Sequence, residues 1–302
     1  MEEMTTGLCP KCGHTLQIPA ELERFSCMYC GDGLTKRQLL TQPEEASCSE
    51  EDCAVSFDHA VSRLGWCVQN FRGYQKKILR DAFFEAFETY ETGCAPVIQE
   101  LNSGVRPERQ TELLERAAEA MLDELSAGWE KKNDMEDEKV VLAIFFMPMV
   151  RKLQLPVSEE FVSLLQKKWV ERYPKSPFYL GDYESISGGF RKKFLGLCFI
   201  TTAVCQELGK PDDCAELTAF RAFRDGYLAA QPDGEALIRE YYNIAPGIVT
   251  CINTCSDRHA SYERIREQYL TPCYEDLLAG RNADCKTRYV QMVRDLERKY
   301  LN

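Results

Sequence analysis

Long apolar runs are missing from this 302-residue chain, and no stretch approaches the ~18 residues that a membrane-spanning helix needs. The longest apolar segments, Val140 to Val150 and Leu195 to Val204, have the length of core helices. Met1 to Gly7 is acidic and carries no apolar signal region, which leads us to expect a soluble, cytoplasmic protein with no membrane partner. Positive charge is also short: 37 Lys and Arg face 48 Asp and Glu, a formal charge of -11. That balance argues against a general nucleic-acid binder, because phosphate recognition needs a surplus of cations. Catalytic signatures are absent as well. There is no Gly-x4-Gly-Lys-Ser/Thr, no His-Glu-x2-His and no Gly-x-Ser-x-Gly.

Cysteine, by contrast, is plentiful at 15 residues. Without an export signal, reduced thiols or metal ligands are a better reading than a disulfide framework. Four lie near the N-terminus as Cys9-Pro-Lys-Cys12-Gly and Cys27-Met-Tyr-Cys30-Gly, two Cys-x2-Cys pairs with 14 residues between them. Each pair presents two thiolates to one ion, and the following glycine permits a left-handed turn. The pattern predicts a zinc ribbon over residues 1–40, with Zn2+ held by Cys9, Cys12, Cys27 and Cys30 and short strands at 15–18 and 24–26. An iron site of rubredoxin type is the alternative. Four cysteines leave no open coordination position, so the metal is expected to be structural. His14 is then not needed as a ligand. Lys11, Arg24 and Lys36 are outnumbered by Glu2, Glu3, Glu21, Glu23 and Asp32, which favours a protein partner over nucleic acid.

Residues 41–55 are strongly acidic and read as a solvated linker carrying Cys48 and Cys53 as exposed thiols. Helical periodicity begins near Ser56 with Phe57, Val61, Leu64 and Val68. An aromatic stripe, Ile78, Phe83, Phe84, Phe87 and Tyr90, is expected to break at Gly93. A second pattern covers Arg109 to Trp129. Lys131 to Glu138 reads as a charged turn. Val140 to Met147, apolar all round, reads as a buried helix ended by Pro148. Ser158 caps a helix to Tyr173, and the Pro- and Gly-rich stretch from Tyr173 to Gly189 reads as a loop or domain boundary. The expected class is therefore mainly α: a helical middle domain over 56–189 and a helical C-terminal domain over 190–302. In the latter, helices are expected from Phe194 to Leu208, through Ala230, from Pro232 to Tyr242, from Pro246 to Thr254, from Tyr262 to Leu278, and from Asn282 to Tyr300.

The stretch Cys198-Phe-Ile-Thr-Thr-Ala-Val-Cys205 resembles the start of the bacterial CFI-box C-terminal domain. Phe220, Arg221, Phe223, Arg224, Asp225 and Tyr227, then Pro232, Gly234, Tyr241, Tyr242 and Pro246, are similar to that family's downstream pattern. The resemblance covers roughly residues 190 to 300. It implies a bacterial source and no particular activity. Many relatives carry Ala-Ala-Tyr-Gly where this chain has Ala203-Val204-Cys205-Gln206.

Two functions follow as expectations. The first is a non-enzymatic zinc-binding interaction or scaffold protein. The second is a thiol- or metal-dependent enzyme centred on Cys198, with His259 as the candidate base. Cys198 and Cys205 are seven residues apart and would share a helix face, as would Cys251 and Cys255; if the faces meet, the four thiols converge. The plainer reading is that they are small buried hydrophobes. Arg221 and Arg224 are expected to pair with acidic neighbours such as Glu216 or Glu240.

Overall fold

The computed structural model describes residues 4–9, 15–29, 31–36, 49–131, 133–191, 198–254 and 257–302. Its contacts divide the chain into two units, Met1–Ala54 and Val55–Asn302. Cys12, His14, Cys30, Cys48 and Cys255 lie outside the described residues.

The first unit contains two antiparallel hairpins. Strand β1 (Met4–Leu8) pairs with β2 (Thr15–Pro19), and β3 (Arg24–Ser26) pairs with β4 (Gly33–Thr35). The expected strands at 15–18 and 24–26 are both present, and each gains a partner that apolar alternation does not signal. Alternation along β2 turns Leu16 and Ile18 to one face, where they join Cys9, Cys27 and Leu34 in a small core edged by Phe25.

The second unit is helical and has one continuous core running from Phe57 to Leu301. Helix α1 (Glu50–Leu64) leads into it and opens on Glu50, Glu51 and Asp52. Ser49 Oγ accepts the Asp52 N–H at 3.1 Å. The acidic residues 50–52 are thus a capped first turn rather than linker, because carboxylates favour the positive end of a helix. Cys53 is buried, not an exposed linker thiol. It shares the face of Phe57, Ala60 and Leu64, which the spacing of three and four residues dictates.

Helix α2 (Phe83–Gly104) runs unbroken through Gly93 and Pro96. A glycine costs a helix only about 1 kcal/mol. Here Phe83, Phe87, Tyr90, Cys94, Val97, Ile98 and Leu101 hold one buried stripe on both sides of it. Next come α3 (Gln110–Ala127), α4 (Asp134–Val141), a π-turn (Leu142–Phe146) and α5 (Met147–Lys152). The charged stretch before Val140 contains the start of a helix, whose first turn holds Asp134, Glu136 and Asp137 at the positive end of the helix; Asp134 Oδ2 also ties the preceding loop by accepting the N–H groups of Glu130 and Lys131 at 2.9 Å each. Pro148 does not end that helix. It sits in the first turn after the π-turn, where a missing N–H is tolerated.

Helix α6 (Ser158–Arg172) includes Ser158 itself, whose hydroxyl accepts the Leu155 N–H rather than capping its own helix. Helix α7 (Tyr183–Arg191) occupies the stretch whose prolines and glycines suggest a loop. Asp182 caps it by accepting the Ser185 N–H at 2.7 Å, and Phe190 stacks on Phe83 with centroids 4.2 Å apart. Tyr179 N–H donates to Thr254 O at 2.9 Å, so this segment is stitched to the C-terminal helices. No division of contacts falls at 189/190; the expected middle and C-terminal segments form one unit.

The remaining elements are α8 (Phe199–Glu207), α9 (Ala215–Ala222) extended by a π-turn (Phe223–Leu228), α10 (Gly234–Thr254), α11 (Arg258–Ile265) extended by a π-turn (Arg266–Leu270), α12 (Thr271–Leu278) and α13 (Asn282–Tyr300). Two helices expected at 232–242 and 246–254 are the single helix α10, with Pro246 inside it. Burial of Tyr242, Ile244, Ala245, Ile248 and Cys251 carries the helix across the break. Gly247 lets α10 approach closely: a Cβ there would sit 1.8 Å from Ile78 O. Among the described residues, no helix is long and apolar enough to cross a membrane.

Candidate functional site

Three groups of cysteines carry the chemistry that the composition points to. The first lies in the hairpin unit. Leu8 pairs with Thr15 and Ser26 pairs with Gly33, so residues 9–14 connect the first pair of strands in the chain and residues 27–32 the second. Both connections have the same length and the same order, Cys-x2-Cys-Gly-x. Each opens with a cysteine, and those two residues, Cys9 and Cys27, are buried in one small core. In the second loop Gly31 adopts a left-handed φ of 75°, its N–H donates to Cys27 O at 2.8 Å, and Cys27 N–H donates to Asp32 O at 2.8 Å. The described residues of this loop thus turn tightly, with Gly31 in a conformation that favours glycine. Cys12 and Cys30, the second cysteine of each loop, lie outside the described residues. The tip of the second loop exposes Met28 and Tyr29, at 74% and 58%.

The second group centres on Cys198. It is not inside an apolar helix, since α8 begins at Phe199 and Cys198 precedes it with φ -100° and ψ 78°. Its carbonyl accepts the Thr202 N–H, the first bond of that helix. The Ile200 N–H, an end group that the helix itself cannot satisfy, donates to the Tyr241 hydroxyl at 3.0 Å. Tyr289 donates on to Tyr241 at 3.4 Å and lies 3.2 Å from Thr201 Oγ1. Tyr242 does not share this chain. Its hydroxyl accepts Arg224 Nη1 at 3.1 Å, and the same nitrogen stands 3.6 Å from Cys198 Sγ.

Arg224 also donates through Nε and Nη2 to Asp225, at 2.6 and 2.8 Å. Arg221 reaches the carbonyl and carboxylate of Asp212. Neither arginine meets the partners that spacing suggests: Glu216 pairs with Lys210 and Glu240 with Arg294. A narrow apolar cavity of about 60 Å³ lies against Cys198, Phe220, Phe223, Arg224, Tyr241 and Tyr289. Burial pushes the Cys198 thiol up, and the charges of Arg224 and Arg221 only partly oppose it. At rest, therefore, the sulfur is a protonated thiol with a guanidinium beside it.

His259 is placed elsewhere. Its Nδ1 lies 3.4 Å from Glu207 Oε1, at the far end of α8, with the ring 69% exposed. The nine residues of α8 separate this point from Cys198 by about 13 Å at the helical rise. A general base must lie within hydrogen-bond reach of the proton it takes, or one water away. The two candidates are not brought together.

The third group is a set of paired thiols. The sequence spacing groups Cys198, Cys205, Cys251 and Cys255, and the described ones among them have other neighbours. Cys205 Sγ lies 3.8 Å from Cys214 Sγ, Cys251 Sγ donates to Tyr300 O at 3.7 Å, and Cys255 is outside the described residues. Two further pairs lie side by side in the core: Cys94 Sγ donates to Cys67 O and Cys273 Sγ donates to Cys285 O, each at 3.9 Å. All four are fully buried, and the pairing with burial drives the Cys67 and Cys285 thiols far up. Sequence spacing missed the Cys205–Cys214 pair. The available signal is the Gly209-Lys-Pro211 break, which folds the end of one helix back onto the start of the next.

The chain matches no family model, no curated protein and no solved structure.

Proposed function

We propose that this chain is a zinc-dependent interaction protein rather than an enzyme, with a CFI-box-like C-terminal region over residues 190–300 and a bacterial, cytoplasmic setting. One observation carries the reading: two strand-to-strand connections of identical Cys-x2-Cys-Gly layout start from cysteines buried in the same five-residue core. Cys9, Cys12, Cys27 and Cys30 would hold the ion. A closed set of four thiolates supplies folding energy and leaves no position for a substrate, so the metal is structural. The exposed Met28 and Tyr29, together with the acidic balance of residues 1–36, favour a protein surface as partner over phosphate.

The thiol enzyme centred on Cys198 finds less support. It needs a depressed thiol pKa and a base, whereas burial raises this thiol and His259 serves Glu207. The test is elemental analysis of freshly purified protein. We expect one zinc per chain in the wild type and loss of the ion in Cys9→Ser. Protein free of both zinc and iron sinks the proposal, and iron in place of zinc would make it a rubredoxin-type site.

A further inference from the structure

Three thiol pairs in the helical body look alike in sequence terms but differ in access. Cys67–Cys94 and Cys273–Cys285 are sealed in the core. Cys214 is half-buried, and its partner Cys205 lines a cavity of about 230 Å³ together with Thr201, Lys210, Glu216, Arg266 and Tyr274. The two sulfurs are 3.8 Å apart, in van der Waals contact, and a bond requires them to close to ~2.0 Å. The connection between them is short and fixed. Gly209 is left-handed at φ 67°, Lys210 N–H donates to Cys205 O at 2.9 Å, and Cys214 N–H donates to Pro211 O at 3.1 Å. Lys210 pairs with Glu216, and Arg221 holds Asp212.

The two cysteines are also chemically unequal. Cys214 immediately precedes α9, in extended backbone at φ -60° and ψ 155°, and its carbonyl accepts the Thr218 N–H. Cys205, deeper and beside a second sulfur, is pushed up to about 12, mainly by burial. A half-buried attacker next to a buried resolver suits thiol–disulfide exchange.

We propose that Cys205 and Cys214 form a reversible dithiol–disulfide site whose oxidant is a low-molecular-weight disulfide entering at Cys214. Cys214, losing its proton to solvent, attacks one sulfur of the small disulfide. That S–S bond breaks, a mixed disulfide forms on Cys214, and the first small thiolate leaves and is protonated. Cys205 then loses its proton and attacks Cys214 Sγ, and the second small thiolate departs with a proton. Two protein thiols are oxidised, one disulfide is reduced to two thiols, and α8 and α9 become tied across the break at Gly209.

The probe is glutathione disulfide added to the native full-length chain, followed by acid quench, alkylation and peptide mass mapping. In the wild type the segment holding both residues should lose about 2 Da, with no glutathione adduct, and dithiothreitol should restore it. The four sealed cysteines should stay reduced. Cys205→Ser should trap a glutathione adduct on Cys214, whereas Cys214→Ser should leave Cys205 unmodified. The wild-type measurement stands even if a variant does not fold. Native protein that keeps both thiols, under an exposure that oxidises the urea-unfolded chain, overturns the proposal. An adduct found on Cys205 rather than Cys214 overturns the order of attack.

Discussion

The hairpin unit closes over five buried residues, two of them cysteines, while the helical body buries Trp169, Tyr90, Tyr262 and a set of phenylalanines in one continuous cluster. Cysteine occurs in both, with opposite meaning. Two-stranded hairpins are marginal on their own in water, so in the first unit thiols at the loop starts stand where a larger core would be, and a bound ion would supply the missing energy. In the body the thiols are small apolar fillers among aromatic rings, and removing one removes only packing. The same residue type therefore predicts collapse in one region and a small loss in the other.

The largest expected effect follows from that contrast. Chelation, or Cys27→Ser, should unfold the hairpin unit outright, since structural zinc contributes on the order of 10 kcal/mol in small modules. Helical circular dichroism should hardly change, because the body's core begins at Phe57. Deleting residues 1–40 should leave the body folded for the same reason. A collapse of helicity on deletion would show that the comparison is false and that the body depends on its N-terminal partner.

Backbone fit in the body comes next. Gly247→Ala places a Cβ 1.8 Å from Ile78 O, a backbone atom that cannot swing away, and should destabilise by about 3 kcal/mol in urea unfolding. Gly93→Ala is its control. A Cβ there meets nothing nearer than Phe71 Cζ at 3.6 Å, so helix propensity should stabilise the protein by up to about 1 kcal/mol. Equal losses at both positions would show that α10 does not press against Ile78 as described.

Those two glycines also mark how far the sequence can be read. The helical class and most of the aromatic core stripe are legible, because Phe83, Phe87 and Tyr90 repeat at helical spacing and are buried, whereas Phe84 of the same stripe is exposed. Breaks are over-read. Gly93, Pro148 and Pro246 look like stops to local propensity, yet tertiary burial on both sides and a neighbouring π-turn carry the chain through two of them and across Pro246. Acidic runs mislead in the same way, since residues 50–52 and the group Asp134, Glu136 and Asp137 form the first turns of helices, where carboxylates are favoured. At the candidate sites, the Cys-x2-Cys loops are visible because their ligands are local. The Cys198–Arg224 contact and the Cys205–Cys214 pair are not, because each depends on how α8 meets α9.

Cys198 gives a smaller effect. Its thiol is buried and raised, so it should resist mild alkylation in the native state while half-buried Cys214 is labelled first. Cys198→Ala should cost about 1–2 kcal/mol as a small truncation beside an existing cavity. Cys198→Ser should cost more, unless the Arg224 guanidinium at 3.6 Å takes the hydroxyl as an acceptor. Labelling of Cys198 ahead of Cys214 would mean a depressed thiol and would return the enzyme reading to first place.

The smallest effect concerns a fully buried carboxylate in the body. Glu138 accepts Arg72 Nε at 2.6 Å and Trp129 Nε1 at 2.7 Å, yet burial outweighs both partners and raises its carboxyl above the ordinary value. A folded-state pKa above the unfolded one means that the native chain holds the proton over the window between them. There the native state binds more protons than the unfolded state, so stability falls as pH rises through that window and the deficit is complete above it. Glu138→Gln cannot titrate and keeps an acceptor for one donor. The wild type should therefore gain on Glu138→Gln as pH is lowered from 7 toward 4, by about 1 kcal/mol or less. Urea midpoints of both proteins across that range measure the difference. A gap that widens in the opposite direction would mean that Arg72 dominates and that Glu138 is a stabilised anion, a polar contact stronger than anything the thiols of the same core provide.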